Sequence, residues 1–325
     1  MKSWLCAALG AIAMLASPVQ AGDCKPLKIF ASIDMTTSAD GRRYYVPVRV
    51  GGQDRRLLLD TGGVVSTLSE EFVRSLGLDT YPANLRMYDV TGAYSDRYVK
   101  APFKIGRLDL GSTQFMVSHG FDQSKEPDVV GILGPDFLSL FDVSIDPVSK
   151  KLDLLNPDHC ADKVVYWPAT VLAKVPVERA LDGHLVISIE LDGKPFKAIV
   201  DTGAWNSTIR IKPAHMLLGV TPGGPDAPAT GELNGTKGLT TYTHVFKTLS
   251  FDGVTVTNPS LRLIPDMLDD AMSSMPTGSK IKVKDDSDKP DVLLGMNILS
   301  HLHIYIAYKD RFVYFTPITT PAPSK

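Results

Sequence analysis

The hydrophobic pattern of the first half of the chain consists of short apolar runs separated by turn residues. Apolar residues alternate with other types from Leu27 to Met35 and from Tyr45 to Val50, and a third apolar run ends at Asp60. Asp-Gly and Gly-Gly pairs separate these runs, and such pairs are typical of tight turns between strands. The pattern therefore predicts three strands joined by turns, with an aspartate at the end of the third.

The second half repeats this order. Apolar segments run from Thr170 to Val177, from Leu185 to Leu191 and from Phe196 to Asp201, again separated by Asp-Gly pairs. Each half then has a segment with helix-capping residues, Ser69 to Gly77 and Pro213 to Gly219. A repeat of this size predicts an all-β fold with two similar β-rich lobes and a few short helices. Neither half shows the long alternating helices of a parallel α/β protein.

A third matched segment near the end of each half contains Gly134 in the first copy and Gly295 in the second. The second half has 20 more residues between its aspartate and this glycine than the first half has. We expect them in polar surface loops at Pro222 to Pro228 and Thr277 to Pro290. The predicted divisions of the chain are a leader at 1–21, a first lobe at 22–158, a linker at 159–168, a second lobe at 169–317 and a tail at 318–325.

Composition and charge narrow the possible partners. The 325 residues are 44% hydrophobic and 22% charged, as in an ordinary soluble globular protein, and the net charge is −2 without a basic block. Nucleic acid is therefore excluded as an expected partner, because its phosphates are normally met by clustered Lys and Arg. The first 21 residues have the charge, apolar run and small-residue cleavage pattern of a signal peptide, which predicts export to the periplasm or the medium. No segment predicts a membrane span.

The cysteines suggest a disulfide. Cys6 would leave with the signal peptide, so that Cys24 and Cys160 remain. An even pair in an exported protein favours a disulfide over two buried free thiols. A catalytic cysteine is not expected, since no histidine motif accompanies either one.

The repeated motif with the clearest chemistry is Asp-Thr-Gly at the end of an apolar strand. It occurs as Asp60-Thr61-Gly62 and as Asp201-Thr202-Gly203, and each copy is followed at the same distance by Ser-Thr and an aliphatic residue. One Asp-Thr-Gly is weak support for a site because Asp and Gly are common in turns. Two copies in matching contexts predict that both carboxylates belong to one active site.

These motifs resemble those of the aspartic protease family. The Asp-Thr-Gly-Ala form at residues 201–204 is similar to the retropepsin-like branch, and two lobes in one chain resemble pepsin. The resemblance covers Leu27 to Thr316 and implies the acid-protease fold, with two β-barrel-like lobes and the active site between them. The main departure is Gly63, where the second copy has Ala204.

The resemblance also implies a role for each matched residue. Asp60 and Asp201 would hold the attacking water between them and share one proton, as the pair does in this family. Gly62 and Gly203 would let backbone amides approach the carboxylates. The threonines that follow each aspartate would hydrogen-bond across the lobe interface, and the glycines of the third matched segment would pack beneath the two loops.

The family closes a hairpin flap over bound peptide, and two Thr-Gly pairs are candidates. Thr91-Gly92 is the candidate in the first half and Thr230-Gly231 the candidate in the second, although Thr-Gly is equally common in ordinary turns. His301 and His303 would share a face on a strand and suggest a metal. No cysteine or third histidine accompanies them, so we expect neither a metal nor another cofactor.

The resulting hypothesis is an exported aspartic endopeptidase that acts on peptide or protein substrates. It would be active as a monomer, because both Asp-Thr-Gly loops lie in one chain. Two alternatives stay open: a non-catalytic peptide-binding module on the same fold, and a processing protease with one native target.

Overall fold

A computed structural model describes residues 24–88, 94–119, 124, 126–160, 163–179, 184–266 and 290–318. The strands of these residues are β1 (Ile29–Asp34), β2 (Thr36–Thr37), β3 (Tyr44–Val50), β4 (Gln53–Leu59), β5 (Thr67–Ser69), β6 (Thr80–Tyr88), β7 (Tyr94–Ile105), β8 (Leu108–Ser118), β9 (Val129–Leu133), β10 (Asp142–Asp146), β11 (Lys151–Leu155), β12 (Ala173–Arg179), β13 (Leu185–Leu191), β14 (Lys194–Val200), β15 (Thr208–Arg210), β16 (Ala229–Glu232), β17 (Thr240–Val245), β18 (Thr248–Phe251), β19 (Val254–Thr257), β20 (Ser260–Ile264), β21 (Val292–Leu294), β22 (Leu302–Ala307) and β23 (Phe312–Pro317). The helices are α1 (Glu70–Ser75), α2 (Pro135–Leu138), α3 (Ile211–Leu218) and α4 (Met296–Leu299), and a 3₁₀ turn spans Leu233–Gly235. The predicted all-β fold with a few short helices is confirmed.

Strands β2 to β9 form the sheet of the first lobe. Its order is β2-β3-β4-β9-β5-β8-β7-β6, and β3 also pairs with β7. This extra pairing closes the strands from β3 to β7 into a ring. The first lobe is therefore barrel-like, as predicted, because a sheet whose two ends pair has no open edge at that point.

The second lobe repeats the same strand order. There the order is β13-β14-β21-β15-β20-β17-β16, and β18 pairs with β13 and with β19. Long strand β7 of the first lobe thus corresponds to two shorter strands, β17 and β18, in the second. The duplication seen in the sequence thus extends to the order of the main strands in both lobes.

A six-stranded part of the larger sheet joins the two halves. Its order is β1-β11-β10-β22-β23-β12, so that β10 of the first half pairs directly with β22 of the second. Val143 lies opposite Ile306, and Ile145 lies opposite Ile304. The matched segments therefore meet each other around a pseudo-two-fold axis instead of each remaining in its own lobe. The predicted lobe boundaries stay a prediction, since this shared sheet belongs to both halves.

The apolar run before Asp60 is buried on both faces of its sheet. Leu57 and Leu59 have no exposed surface and lie in the main core. Leu58 points to the other face, where it packs with Tyr45 and Val129 in a smaller cluster. A strand with continuous apolar residues is typical of a sheet covered on both sides. This burial carries the end of β4 into the interior of the molecule.

The two predicted helices of the lobes are present, with one shifted start. Helix α1 begins after Ser69, whose hydroxyl accepts a hydrogen bond from the Phe72 amide at 3.2 Å. Helix α3 begins at Ile211, two residues before the predicted start at Pro213, because proline is tolerated throughout the first turn of a helix. It ends at Leu218 and is capped by Gly219, which adopts the left-handed conformation with a φ of 70°.

The linker between the halves is tied to the segment before β1 by the predicted disulfide, which is confirmed. Cys24 and Cys160 are bonded, with their Cα atoms 4.7 Å apart. Beside it, His159 and Asp142 form a buried pair in which Nε2 lies 2.6 Å from Oδ2. Burial opposes protonation of His159, but hydrogen bonds to the Cys160 carbonyl and to Asp142 outweigh it and raise the pKa of the imidazole. Burial also raises the pKa of the Asp142 carboxyl, more than hydrogen bonds from His159 and Tyr305 lower it.

The two polar loops expected in the second half lie at residues 222–228 and 277–290. The loop at 222–228 is not wholly at the surface, because the methyl group of Ala227 is buried with 1% exposure. Most of the second expected loop, at 277–290, lies outside the described residues, as do the leader at 1–21 and most of the tail. None of the helices in the described part of the chain is long and apolar enough to cross a membrane.

Candidate active site

The strand order in each lobe forces the chain after each aspartate to form an arch. Strands β4 and β5 follow each other in sequence, but β9 lies between them in the sheet. The loop from Asp60 to Ser66 must therefore cross the end of β9. The Asp60 amide donates to the Leu133 carbonyl at 3.1 Å, and the Asp201 amide donates to Leu294 at 2.9 Å. Both aspartates thus leave their sheets at equivalent points.

Gly134 and Gly295 lie directly under these two arches. A Cβ atom added to Gly134 would lie 2.7 Å from the carbonyl carbon of Val65, and one added to Gly295 would lie 2.7 Å from the Trp205 carbonyl oxygen. Both distances are much shorter than a van der Waals contact. Any side chain at either position would push the backbone of an aspartate loop outward.

Backbone amides hold one oxygen of each carboxylate. Asp60 Oδ1 accepts hydrogen bonds from the amides of Gly62 and Gly63, at 2.9 and 2.7 Å. The second loop repeats this geometry, since the amides two and three residues after Asp201 donate to its Oδ1 at 2.8 and 3.1 Å. A side chain would be incompatible with the approach of the two loops, because a Cβ atom at Gly62 would lie 2.2 Å from Asp201 Cγ. A Cβ atom at Gly203 would lie 2.5 Å from Asp60 Cγ.

The two carboxyl groups interact with each other and share a low-dielectric environment. Burial raises the pKa of the Asp60 carboxyl, and the Gly63 amide and the hydrogen bond with Asp201 offset this only in part. Burial raises the pKa of the Asp201 carboxyl well above its usual value, and the charge of Asp60 raises it further. Two such groups cannot both ionise cheaply. The pair therefore retains one proton to a higher pH than an exposed carboxyl group would, and it titrates as a unit.

The threonines of the two motifs connect the lobes through four buried hydrogen bonds. The Thr61 amide donates to Thr202 Oγ1 at 3.1 Å, and the Thr202 amide donates to Thr61 Oγ1 at 3.1 Å. Each hydroxyl then donates to a carbonyl of the other lobe, to Val200 at 2.7 Å from Thr61 and to Leu59 at 2.9 Å from Thr202. Both threonines are almost completely inaccessible to solvent. The strands that deliver the aspartates are thus bonded to each other directly.

A second pair of polar residues supports the arches, and sequence reasoning missed it. Ser66 Oγ accepts from the Gly134 amide at 2.9 Å and donates to Asp136 Oδ1 at 2.7 Å. In the second lobe Ser207 and Asn297 make the same contacts, also at 2.9 and 2.7 Å. The available signals were the serine six residues after each aspartate and the acid or amide two residues after each matched glycine. His184 was also missed, and its charge opposes the rise in the pKa of Asp60.

The flap candidates stay predictions. Thr91 and Gly92 lie outside the described residues, between the paired ends of β6 and β7. Thr230 and Gly231 lie within β16, and the turn of the β16–β17 hairpin comes later, at residues 233–239. The second Thr-Gly pair is therefore part of a strand and does not form a hairpin tip.

Of the two histidines singled out in the sequence, His301 precedes β22 and His303 lies within it. His303 stacks on Trp167 with ring centroids 3.9 Å apart, and its Nε2 lies 2.7 Å from the Ser144 hydroxyl. Among the residues that the structure describes, no group of three potential ligands surrounds a common point. The His303 ring thus has a packing role at the junction of the two halves.

One comparison, with family models, agrees with the class that this geometry defines, a two-lobed fold with an aspartate loop from each lobe. A model of the aspartyl protease family matches residues 46–137 and 187–298, one match in each half. No curated protein matches the sequence. Among solved structures the fold is similar to basic 7S globulin from soybean, with a TM-score of 0.49 and 9% sequence identity over 90% of this chain and 95% of that chain.

The two family matches together cover more than half of the chain. The chain therefore belongs to the aspartyl protease family. This confirms the resemblance that the duplicated Asp-Thr-Gly motif indicated.

Proposed function

We propose that the protein is an aspartic endopeptidase in which Asp60 and Asp201 activate a water molecule for attack on a peptide bond. The observation that carries this proposal is the convergence of the two aspartate loops, since a Cβ atom at Gly62 would lie 2.2 Å from Asp201 Cγ and one at Gly203 would lie 2.5 Å from Asp60 Cγ. Each carboxyl group is held by two backbone amides of its own loop. Family membership supports proteolysis in general, and this site supports the particular chemistry.

The shared proton lets the pair act as base and acid in one step. The ionised carboxylate accepts a proton from water as the water oxygen attacks the scissile carbonyl carbon, and the protonated partner donates a hydrogen bond to the carbonyl oxygen. The tetrahedral species then breaks down when the carboxyl group that took the proton from water transfers it to the leaving nitrogen. No covalent intermediate is needed. Neither aspartate has a fixed role, because the proton belongs to the pair.

The rest of the chain supports a monomer that works outside the cytoplasm. Both halves of the site come from one chain, so that a second copy is not required to complete it. The Cys24–Cys160 disulfide favours an oxidising compartment and hence export. We expect peptide or protein substrates, and no nucleic-acid partner.

Cleavage of a diverse peptide library between acidic and neutral pH tests the proposal. The wild type should cleave some peptides, and D60N and D201N should cleave none while keeping the wild-type circular dichroism spectrum. Activity that survives in either variant would refute the role of the pair. A folded wild type that binds peptides and cleaves none would instead favour the non-catalytic binding module.

A further inference from the structure

A polar pocket of about 250 Å³ lies beside the second catalytic loop. Six residues with polar side chains line it: Asn206, Thr230, Thr243, Ser260, Arg262 and Asn297. Arg262 carries the only formal charge among them. A small pocket with several neutral hydrogen-bonding groups and one cation fits a compact anionic group better than an apolar one.

The sheet explains why these side chains meet. Ser260 and Arg262 are two residues apart on β20, so their side chains point to the same face, while Leu261 and Leu263 between and beyond them are buried in the core. Thr243 lies directly opposite Arg262 on β17. On the edge of β20 away from β17, the Arg262 amide donates to the Ser207 carbonyl at 2.9 Å. Arg262 is therefore built onto the strand that supports the catalytic loop.

The guanidinium group of Arg262 is oriented but has donors to spare. Its Nε donates to Thr241 Oγ1 at 2.8 Å, and its Nη2 donates to the Glu232 carbonyl at 3.3 Å. These bonds use two of the five N–H donors and leave the end of the group, with both Nη atoms, available for a bidentate contact. Within the described ranges, no carboxylate forms an ion pair with Arg262.

The first lobe provides an internal comparison. Thr67 pairs with Met116 as Thr208 pairs with Arg262, which makes Met116 the equivalent of Arg262. Met116 is 8% exposed, and the residue opposite it on β7 is Tyr98. The same backbone thus carries apolar and aromatic side chains in one lobe and an arginine with a threonine in the other. The difference is not required by the catalytic loops, because their hydrogen bonds are the same in both lobes.

The residue that accepts the serine hydrogen bonds under the loop is also less negatively charged in the second lobe than in the first. Asp136 in the first lobe accepts the hydrogen bonds of Ser66, whereas Asn297 accepts those of Ser207. Asn297 keeps these bonds without a negative charge, and its Nδ2 donates to the Ser260 carbonyl in the pocket wall at 2.9 Å. An aspartate there would neutralise a cation in the pocket. The neutral amide leaves the positive charge of Arg262 uncompensated.

The pocket lies within reach of a peptide that occupies the active site. The Ala204 amide nitrogen is 3.1 Å from Asp201 Oδ1, and Asn206 follows two residues later. Because consecutive Cα atoms are about 3.8 Å apart, the backbone of Asn206 lies within about 12 Å of the catalytic carboxylate. This is the largest separation that the chain allows between Asp201 and the Asn206 edge of the pocket, and an extended peptide covers it in about three to four residues.

We propose that Arg262 selects peptides that carry a carboxylate about three or four residues from the scissile bond. The carboxylate would be an Asp or Glu side chain or the C-terminus of the peptide, and the end of the guanidinium group would bind it through two N–H donors. This inference rests on the proposed endopeptidase activity and adds a substrate class to it.

The test compares acidic and neutral versions of one cleaved peptide at a pH above about 5, where the carboxylate is ionised. In one series, Asp or Glu is placed at the third or fourth position on either side of the scissile bond, and the matching neutral peptide has Asn or Gln at the same position. In a second series, a peptide with a free C-terminal carboxylate is compared with the same peptide carrying a C-terminal amide. The wild type should have a kcat/KM roughly 10- to 100-fold higher for the acidic peptide, as for a charged hydrogen bond. R262M, which introduces the residue of the first lobe, should abolish this ratio, and R262K should restore it in part.

R74M is the matched control, because it removes an arginine whose side chain is 71% exposed on α1. It should keep the wild-type preference, and a thermal melt of each variant checks that it is folded. An R262M enzyme that still prefers the acidic peptide, or a wild type without any preference, would overturn the inference. If no peptide is cleaved, the proposed activity fails, and the same preference measured as a ratio of Kd values still tests the pocket. The position of the preferred carboxylate distinguishes a side chain from a C-terminus.

Discussion

Replacement of Thr202 by valine tests whether the threonine network locks the two lobes together. Valine keeps the shape of threonine and removes only the hydroxyl group. The Thr61 amide would lose its acceptor, and the Leu59 carbonyl would lose a donor, both in a region with almost no solvent access. Neither group has room to bond to water instead.

The size of the effect follows from these two orphaned groups. Each buried backbone group left without a partner costs about 1–3 kcal/mol, so that T202V should lower the free energy of unfolding by about 2–6 kcal/mol. T202S is the matched control, because it keeps the hydroxyl and removes one buried methyl group, which is worth about 1 kcal/mol. Valine should therefore destabilise the protein clearly more than serine does.

Urea unfolding followed by tryptophan fluorescence measures the difference between these variants. Equal slopes of the unfolding transitions would show that the midpoints report stability. If T202V and T202S differ by less than about 0.5 kcal/mol, the hydroxyl groups do not hold the lobes together, and the interpretation of the network is wrong.

Three further predictions concern other parts of the molecule. G62A should lower kcat/KM by about 10²-fold or more, since its Cβ would displace the opposite carboxyl group, whereas G63A should lose less because the second loop has alanine at that position. Serine in place of both disulfide cysteines should lower the free energy of unfolding by about 2–5 kcal/mol, measured by urea titration under oxidising conditions. The folded chain binds a proton at His159 more tightly than the unfolded chain does, so the stability from its pair with Asp142 is present below about pH 6.5 and lost as the pH rises through the raised pKa. Urea titrations from pH 5 to 8 should show a steeper decline for the wild type than for H159Q, and equal slopes would contradict this.

Local sequence signals predicted the elements that carry the two paired aspartates. The strands before Asp60 and Asp201 are long apolar runs bounded by turn residues, and the first helix has a capping serine at Ser69. Such signals depend on neighbours in the chain, so a single sequence contains them. The aspartates could be assigned to one site because the whole context of the motif is repeated.

The parts that the sequence did not predict depend on contacts between distant segments. The pairing of Val143 with Ile306 needs the pseudo-two-fold axis, since in sequence these residues are only members of matching segments. The equivalence of Met116 and Arg262 depends on strand register in two sheets, and insertions in the second half hide it from a comparison of the repeats. Helix α3 begins before Pro213, since proline is tolerated in the first turn, and Ile211 there packs against the core, a contact that local capping rules do not include.

The most direct test of the central claim is the turnover of one identified peptide by D60N, D201N and the double variant. If the two carboxyl groups act as one unit, each single substitution should remove essentially all activity, and the double variant should lose no more. Additive losses would show two independent contributions. Measurable turnover by either single variant would contradict the account that one proton, shared between Asp60 and Asp201, drives peptide hydrolysis in this protein.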